Sequence, residues 1–309
     1  MHQLMPKETK RQIMGKFSKS AGRIAAMILV FVLGMIIAFV GRTNERYASA
    51  AAKPVTDKNV SVSRKNAKPS YQELYPDFYA PTKPVVQTPD DKTVYLTFDD
   101  GPSKQTARLL DILDKENVKA TFFVVGLGGN SSLPLIRRAA KSGHTVGMHS
   151  NTHNYKYIYG SVENYLADMH KIFVTIKETT GITPTVFRFP GGSVSNVNGK
   201  VRDAVMAEML RRGFVPYDWS VEASDAVKHS LSADKIVSNV VSHVPNSRRP
   251  IIVLMHDSQP RKTTVDAVGP IIKQLKNRGY RFDKLTPSVK PVLFRVPSAK
   301  QQRKKKTEG

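Results

Sequence analysis

Two adjacent carboxylates, Asp99 and Asp100, stand where the run Tyr95 to Pro102, YLTFDDGP, passes into a Gly-Pro turn. Val94, Leu96 and Phe98 alternate with Tyr95 and Thr97 as a buried strand would. Both charges therefore fall at a strand's carboxyl end, where α/β folds place their chemistry. Neighbouring carboxylates repel, and a native site relieves that with a cation or a proton. The plainer alternative is that the pair opens the turn and caps a helix beginning near Ser103. A second run, GHTVGMHSNTHN over Gly143 to Asn154, sets His149 and His153 four residues apart. That spacing brings two imidazoles to one side of a helical turn and suits a metal, although an ordinary surface or core produces it too. FRFPGGS (Phe187 to Ser193), YDWSVEASDA (Tyr217 to Ala226) and IIVLMHDS (Ile251 to Ser258) each follow or include an apolar stretch and deliver a titratable residue at its end: Arg188, Asp218 or Asp225, and His256.

In that order, TFDDGP, HSNTH, RFPGG, DWSVEASDA and LMH resemble the successive motifs of the polysaccharide deacetylase family, also called the NodB-homology or carbohydrate esterase family 4 domain. The match runs from about Lys92 to Leu285, and the basic N-terminal segment further resembles bacterial peptidoglycan N-acetylglucosamine deacetylases. The resemblance implies metal-dependent N-deacetylation of a cell-wall glycan, with N-acetylglucosamine of peptidoglycan as the first substrate. An O-acetyl esterase acting on a xylan-type glycan and a chitooligosaccharide deacetylase are alternatives, and a non-catalytic wall-binding module is the reading from another class. It also implies one divalent ion held by Asp100, His149 and His153. Zinc is the first expectation, and cobalt, nickel or iron suit the same donors.

Hydrolysing an acetamide needs a nucleophilic water, a sink for the developing oxyanion and an acid for the leaving amine. The resemblance gives these roles to particular residues. Asp99, a non-ligand kept ionised beside the cation, is the general base. His256 is the acid, Asp225 its partner, and Arg188 the orienter of Asp99, with Asp218 competing with Asp225 for His256. Two departures stand out. Many members carry an aromatic residue where Gly191 follows Pro190, so the oxyanion role of the Gly191 amide rests on a glycine. Many end the fourth motif in Asp-Trp, whereas Asp225 is followed by Ala226 and the one tryptophan, Trp219, comes earlier. Trp219 either stacks on a sugar or belongs to the core, and Leu254 either lines the acetyl pocket or is plain core. His144 reads as structural, and His2, His170, His229 and His243 have no partner at ligand spacing.

Strand-like runs at Val94 to Phe98, Ala120 to Val125, His144 to Met148, Val186 to Phe189, Phe214 to Asp218, Ile251 to Met255 and Tyr280 to Leu285 alternate with helical patterns at Ala107 to Leu113, Leu133 to Ala140, Val162 to Ile176, Val201 to Leu210, Ala233 to Val241 and Val265 to Leu275. Such alternation predicts an α/β fold with a parallel sheet. The resemblance makes it a distorted (β/α)7 barrel spanning residues 91–289, with the motif residues at the strands' carboxyl ends.

Residues 1–23 are basic and residues 24–41, Ile24 to Gly41, are uncharged and almost wholly apolar. That pattern predicts a transmembrane anchor with its positive flank in the cytoplasm and the catalytic domain outside the cell. The competing reading is a signal segment cleaved near Ala50, at Ala48-Ser49-Ala50. Residues 42–90 read as a linker or lead-in, whose YQELYPDFY portion (Tyr71 to Tyr79) is a candidate to pack on the domain, and residues 290–309 as a basic tail. The formal charge is +23, of which residues 91–289 carry +9. Most of the excess thus lies outside the catalytic domain, where anionic wall polymers or lipid headgroups are the expected partners. No nucleic-acid-binding motif accompanies it, and nucleic acid is not expected. The absence of cysteine excludes a disulfide framework.

Overall fold

The computed structural model describes residues 70–81, 92–226, 231–245 and 250–296. The candidate anchor at Ile24–Gly41 and the end of the basic tail lie outside them. Among the described residues, no helix is long and apolar enough to cross a membrane.

All ladder pairs are parallel. Strand β1 (Thr93–Asp99) is followed by helix α1 (Lys104–Lys115), β2 (Thr121–Val125) by α2 (Leu133–Lys141), and β3 (Thr145–Ser150) by the short α3 (Tyr155–Ile158) and the long α4 (Val162–Thr180). Then come β4 (Val186–Phe187), α5 (Arg202–Arg211), β5 (Val215–Pro216), β6 (Val221–Glu222), α6 (Ala233–His243), β7 (Ile251–His256), α7 (Lys262–Asn277) and β8 (Arg281–Asp283). The sheet order is β5-β4-β3-β2-β1-β7-β6, with β8 paired to the start of β1.

Side-chain alternation divides the strands' residues between two cores. Val94, Leu96 and Phe98 of β1, Phe122 and Val124 of β2, Val146 and Met148 of β3, and Ile251, Val253 and Met255 of β7 join the large cluster with the helices. Tyr95, Phe123, Val186, Val215, Tyr217, Ile252 and Leu285 fill a smaller cluster on the concave face. A sheet covered on both faces needs apolar residues at nearly every position, and all seven residues of β1 are buried. Gly147 belongs to this inner packing, because a β carbon there would stand 2.8 Å from the Phe123 ring.

The expected distorted (β/α)7 barrel takes the form of a curled half-barrel, with eight short strands rather than seven among the described residues. Among the described residues no ladder joins the outer strands β5 and β6. The sequence reading missed β6, which is only two residues long. Tyr217 to Ser220 link β5 directly to β6, far too few residues for the helical crossover that parallel neighbours require. Other groups occupy the gap: the Asp218 N–H donates to the Val292 carbonyl at 2.8 Å, so residues 290–296, assigned from sequence to the tail, lie against this edge.

The lead-in packs on the domain as well. Phe78 is fully buried, and the buried Arg212 guanidinium donates to the carbonyls of Tyr71, Leu74, Tyr75 and Phe78 at 2.8 to 3.3 Å.

Candidate active site

The parallel register places Asp99 opposite His256 on the neighbouring central strands β1 and β7, and Thr97 opposite Leu254. A bulge between β2 and β3 carries the pairing from Val124–Met148 to Val125–Ser150 and leaves His149 as the extra residue. Bulges commonly re-aim side chains beside active sites. Asp100 and His153 both hold left-handed backbone, with φ of 69° and 50°, a conformation costing a non-glycine residue about 1–3 kcal/mol unless its surroundings enforce it. Here they do. The buried Asp168 carboxylate on α4 accepts from Ser150 Oγ at 2.5 Å, Asn151 N at 2.7 Å, Thr152 N at 2.9 Å and Thr152 Oγ1 at 2.7 Å, and Ser150 Oγ in turn accepts from His153 N at 2.8 Å.

Three of the predicted residues converge. Asp100 Oδ1 stands 3.5 Å from His149 Nε2 and 3.2 Å from His153 Nε2. The His149 Nδ1–H donates to the Arg188 carbonyl at 3.0 Å, which leaves Nε2 with its lone pair facing Asp100. Burial pushes the His149 imidazole down to about 3, so it is neutral. Asp100 Oδ1 is itself buried without a hydrogen-bond partner. Acceptor atoms meeting with no donor between them fit a cation, and their spacing is near the ~3.3 Å edge of a tetrahedron with bonds of about 2.0–2.1 Å. The aspartates do not cap α1, because Ser103 does so, accepting from Gln105 N at 3.0 Å while its own N–H donates to Thr106 Oγ1 at 2.8 Å.

Asp99 lies just outside the three-ligand set. Its Oδ1 accepts from Arg188 Nη1 at 2.8 Å, and its Oδ2 is 3.8 Å from His149 Nε2. Burial pushes its carboxyl above the ordinary range, opposed by the charges of Arg188 and His256. A carboxylate with a raised pKa holds a proton better than a surface aspartate would.

The competition between Asp218 and Asp225 is resolved by geometry. Asp225 Oδ1 lies 2.9 Å from His256 Nδ1, and its Oδ2 accepts from His256 N and Thr264 Oγ1, both at 2.9 Å. Nε2 of His256 is left for the cleft. Burial works against the charged imidazole, but the hydrogen bond and charge of Asp225, with Asp99 and Asp100, raise it to about 9. Asp218 is instead a strut: its carboxylate accepts from Ser193 N at 2.8 Å, from the Ser193 hydroxyl, and from Phe294 N at 2.7 Å. With the Pro190 carbonyl taken by the Tyr159 hydroxyl at 2.7 Å and the Gly192 carbonyl by Asn198 Nδ2 at 3.0 Å, Gly191 is the exposed point of that loop. It lines a cleft of about 280 Å³ with Tyr155, Trp219, Leu254 and the acids and imidazoles Asp99, Asp100, His149, His153, Glu222 and His256. Trp219 borders the cleft and also packs on the inner cluster.

Two residues escaped the sequence reading. Asp168 sits inside an amphipathic helical pattern, where an acid reads as solvated; its burial is the signal, and that appears only in three dimensions. Tyr155 follows the second motif by two residues with no periodicity to mark it.

Two expected results follow from this geometry. Asp168→Asn sets an amide N–H₂ against N–H and O–H donors and should weaken zinc binding by about 10–100-fold, read by competition with a chromophoric chelator. Folding cooperativity should persist, and unchanged affinity would show that the loop holds its shape without the carboxylate. In the metal-free protein, raising the folded pKa of His256 above the unfolded 6.5 means that its contribution to stability is full below pH 6.5 and is lost as pH rises towards 9. Urea unfolding should show a decline over that window that Asp225→Asn flattens.

A parallel half-barrel whose carboxyl rim gathers a buried carboxylate, an imidazole–carboxylate pair and three converging donors that could hold a cation has the groups that water activation calls for. The polysaccharide deacetylase family profile matches residues 86–208. A putative polysaccharide deacetylase of Bacillus subtilis, YheN, is 32% identical over 91% of this chain and 99% of its own length. A peptidoglycan-N-acetylglucosamine deacetylase of Bacillus cereus is 37% identical over 62% of the chain and 68% of its own. The crystal structure of the catalytic domain of peptidoglycan N-acetylglucosamine deacetylase from Eubacterium rectale superposes with a TM-score of 0.65 at 38% identity, covering 71% of this chain and 99% of that one. The chain belongs to the polysaccharide deacetylase family, and is a hydrolase of that family.

Proposed function

We propose that the protein is a metal-dependent N-deacetylase acting on N-acetylglucosamine of peptidoglycan. The observation that carries the reading is the convergence of Asp100, His149 and His153 on one point, with Asp99 and His256 side by side on adjacent strands. Held by those three residues, a divalent ion would acidify water and polarise the acetyl carbonyl. Asp99 takes the proton as water attacks the acetyl carbon, while Arg188 fixes the carboxylate's orientation. The Gly191 amide faces the developing oxyanion, and Leu254 borders the acetyl methyl. His256, kept cationic by Asp225, gives its proton to the nitrogen as the C–N bond breaks, leaving acetate and a free amine. Zinc is the ion of choice for two imidazoles and a carboxylate, with cobalt, nickel and iron able to substitute.

The basic segment and apolar run at residues 1–41 support a single-span anchor with the domain outside the cell, or secretion after cleavage near Ala50. The basic ends then lie near anionic wall polymers or lipid headgroups.

Acetate release from peptidoglycan, chitooligosaccharide and acetylated xylan, by the full-length protein with zinc and with chelator, tests the reading. Release from peptidoglycan that chelation removes and zinc restores is expected. Turnover of the xylan ester alone would replace it with an esterase, and silence on all three substrates by a folded, zinc-loaded protein would overturn it.

A further inference from the structure

Tyr155 stands at the start of α3, two residues beyond His153, and its half-buried ring lines the cleft. The ring meets the His153 imidazole edge-on, with centroids 5.2 Å apart. It also lies over position 191: a β carbon built on Gly191 would stand 3.2 Å from Tyr155 Cε1 and 3.5 Å from its hydroxyl oxygen. The ring therefore occupies the space into which a side chain at 191 would grow, and the Gly191 backbone, at φ 78°, is one that glycine adopts without strain. Trp219 is the other aromatic of the cleft, edge-on to Phe294 with centroids 4.7 Å apart.

We propose that Tyr155, seated against the glycine at 191, is a specificity-determining wall of the site, offering its ring to the apolar face of a pyranose unit of the substrate. Pyranose rings present a face of C–H groups, and an aromatic side chain covers such a face with large area at little entropy cost. The wall comes from the loop that also carries His153, so the cleft's recognition surface and its cation site share one segment. The bare Gly191 is what allows the ring to lie there. This inference rests on the glycan-deacetylase reading, and the experiment separates the two.

In the zinc-loaded full-length protein, Tyr155→Ala and Tyr155→Phe are compared with wild type by titrating chitotetraose against the fluorescence of Trp219, the chain's one tryptophan. Steady-state kinetics are measured on the same oligomer and on 4-nitrophenyl acetate, which has no sugar. Tyr155→Ala should weaken oligomer binding and raise KM about tenfold, with kcat, nitrophenyl acetate turnover and zinc affinity held within about twofold. Tyr155→Phe should behave as wild type. Oligomer binding by Tyr155→Ala equal to wild type overturns the proposal. So does a parallel loss of zinc affinity and small-ester turnover, which would reduce the ring to a prop for His153. Wild type that binds the oligomer but hydrolyses nothing removes the deacetylase reading while the titration still decides the role of Tyr155, and wild type that does not bind it overturns both.

Discussion

Asp99→Asn should lower kcat on an acetylated glycan by about 10²–10⁴-fold, the range a positioned general base contributes, while leaving zinc affinity and fold intact. The substitution is close to isosteric, and its amide oxygen can still accept from Arg188 Nη1, which now donates to Asp99 Oδ1 at 2.8 Å. What disappears is a carboxylate able to hold the proton of the attacking water. The neighbouring substitution separates the two roles that adjacent aspartates were given. Asp100→Asn removes one of three converging donors and should appear chiefly as lost metal affinity, recoverable in part at high zinc concentration, whereas no concentration of zinc should rescue Asp99→Asn. Stopped-assay acetate release across a zinc titration distinguishes the two patterns, and rescue of Asp99→Asn by zinc would reassign it as a ligand.

Arg188→Met should cost about 3–5 kcal/mol of folding stability, the usual penalty for removing one partner of a buried ion pair. The guanidinium is fully buried. It donates from Nε to the Tyr217 carbonyl at 2.8 Å, from Nη1 to Thr97 Oγ1 at 2.7 Å and to Asp99 at 2.8 Å, and from Nη2 to the Asp218 carbonyl at 3.1 Å. It also lies over the Phe123 ring, 4.3 Å from the centroid. One side chain thus bonds to the central strand and to the link at the sheet's unpaired edge. Methionine fills much of the volume but strands the Asp99 charge and two carbonyls. Because protonation relieves that stranded charge, the deficit should shrink as pH falls, and Arg188→Met combined with Asp99→Asn should recover part of it. Equal losses at pH 5 and pH 8 would mean that the missing carbonyl bonds, not the uncompensated carboxylate, set the penalty.

Much of this site could be read from the linear chain because its residues sit at the ends of strands with strong alternation. The step from Phe98 to Asp99, from Met148 to His149 and from Met255 to His256 moves each time from an outward apolar side chain to an inward polar one, a period-2 signal that survives in sequence. The shape of the sheet was less legible. Val221 and Glu222 form a strand by pairing with β7, a long-range event with no local pattern in two residues. The choice between Asp218 and Asp225 was likewise undecidable from spacing: both flank the same strand, and only the register of β6 against β7 brings Asp225 under His256. Asp168 shows the general limit. A polar residue within a helix reads as solvated until the loop that it holds is folded over it.

Asp99 and His256 are paired across the longest ladder among the described residues, whereas His153, one of the three converging donors, rides on a turn whose amides and hydroxyls bond to a single carboxylate, Asp168. Heating should therefore dismantle the site in order. The HSNTH turn would fray first and release its ion, exposing its amides to exchange, while the Asp99–His256 spacing would persist until the central strands part. Inactivation of the zinc-loaded protein without excess zinc would then precede the loss of the sheet's far-ultraviolet signal by several degrees, and saturating zinc would bring the two transitions together.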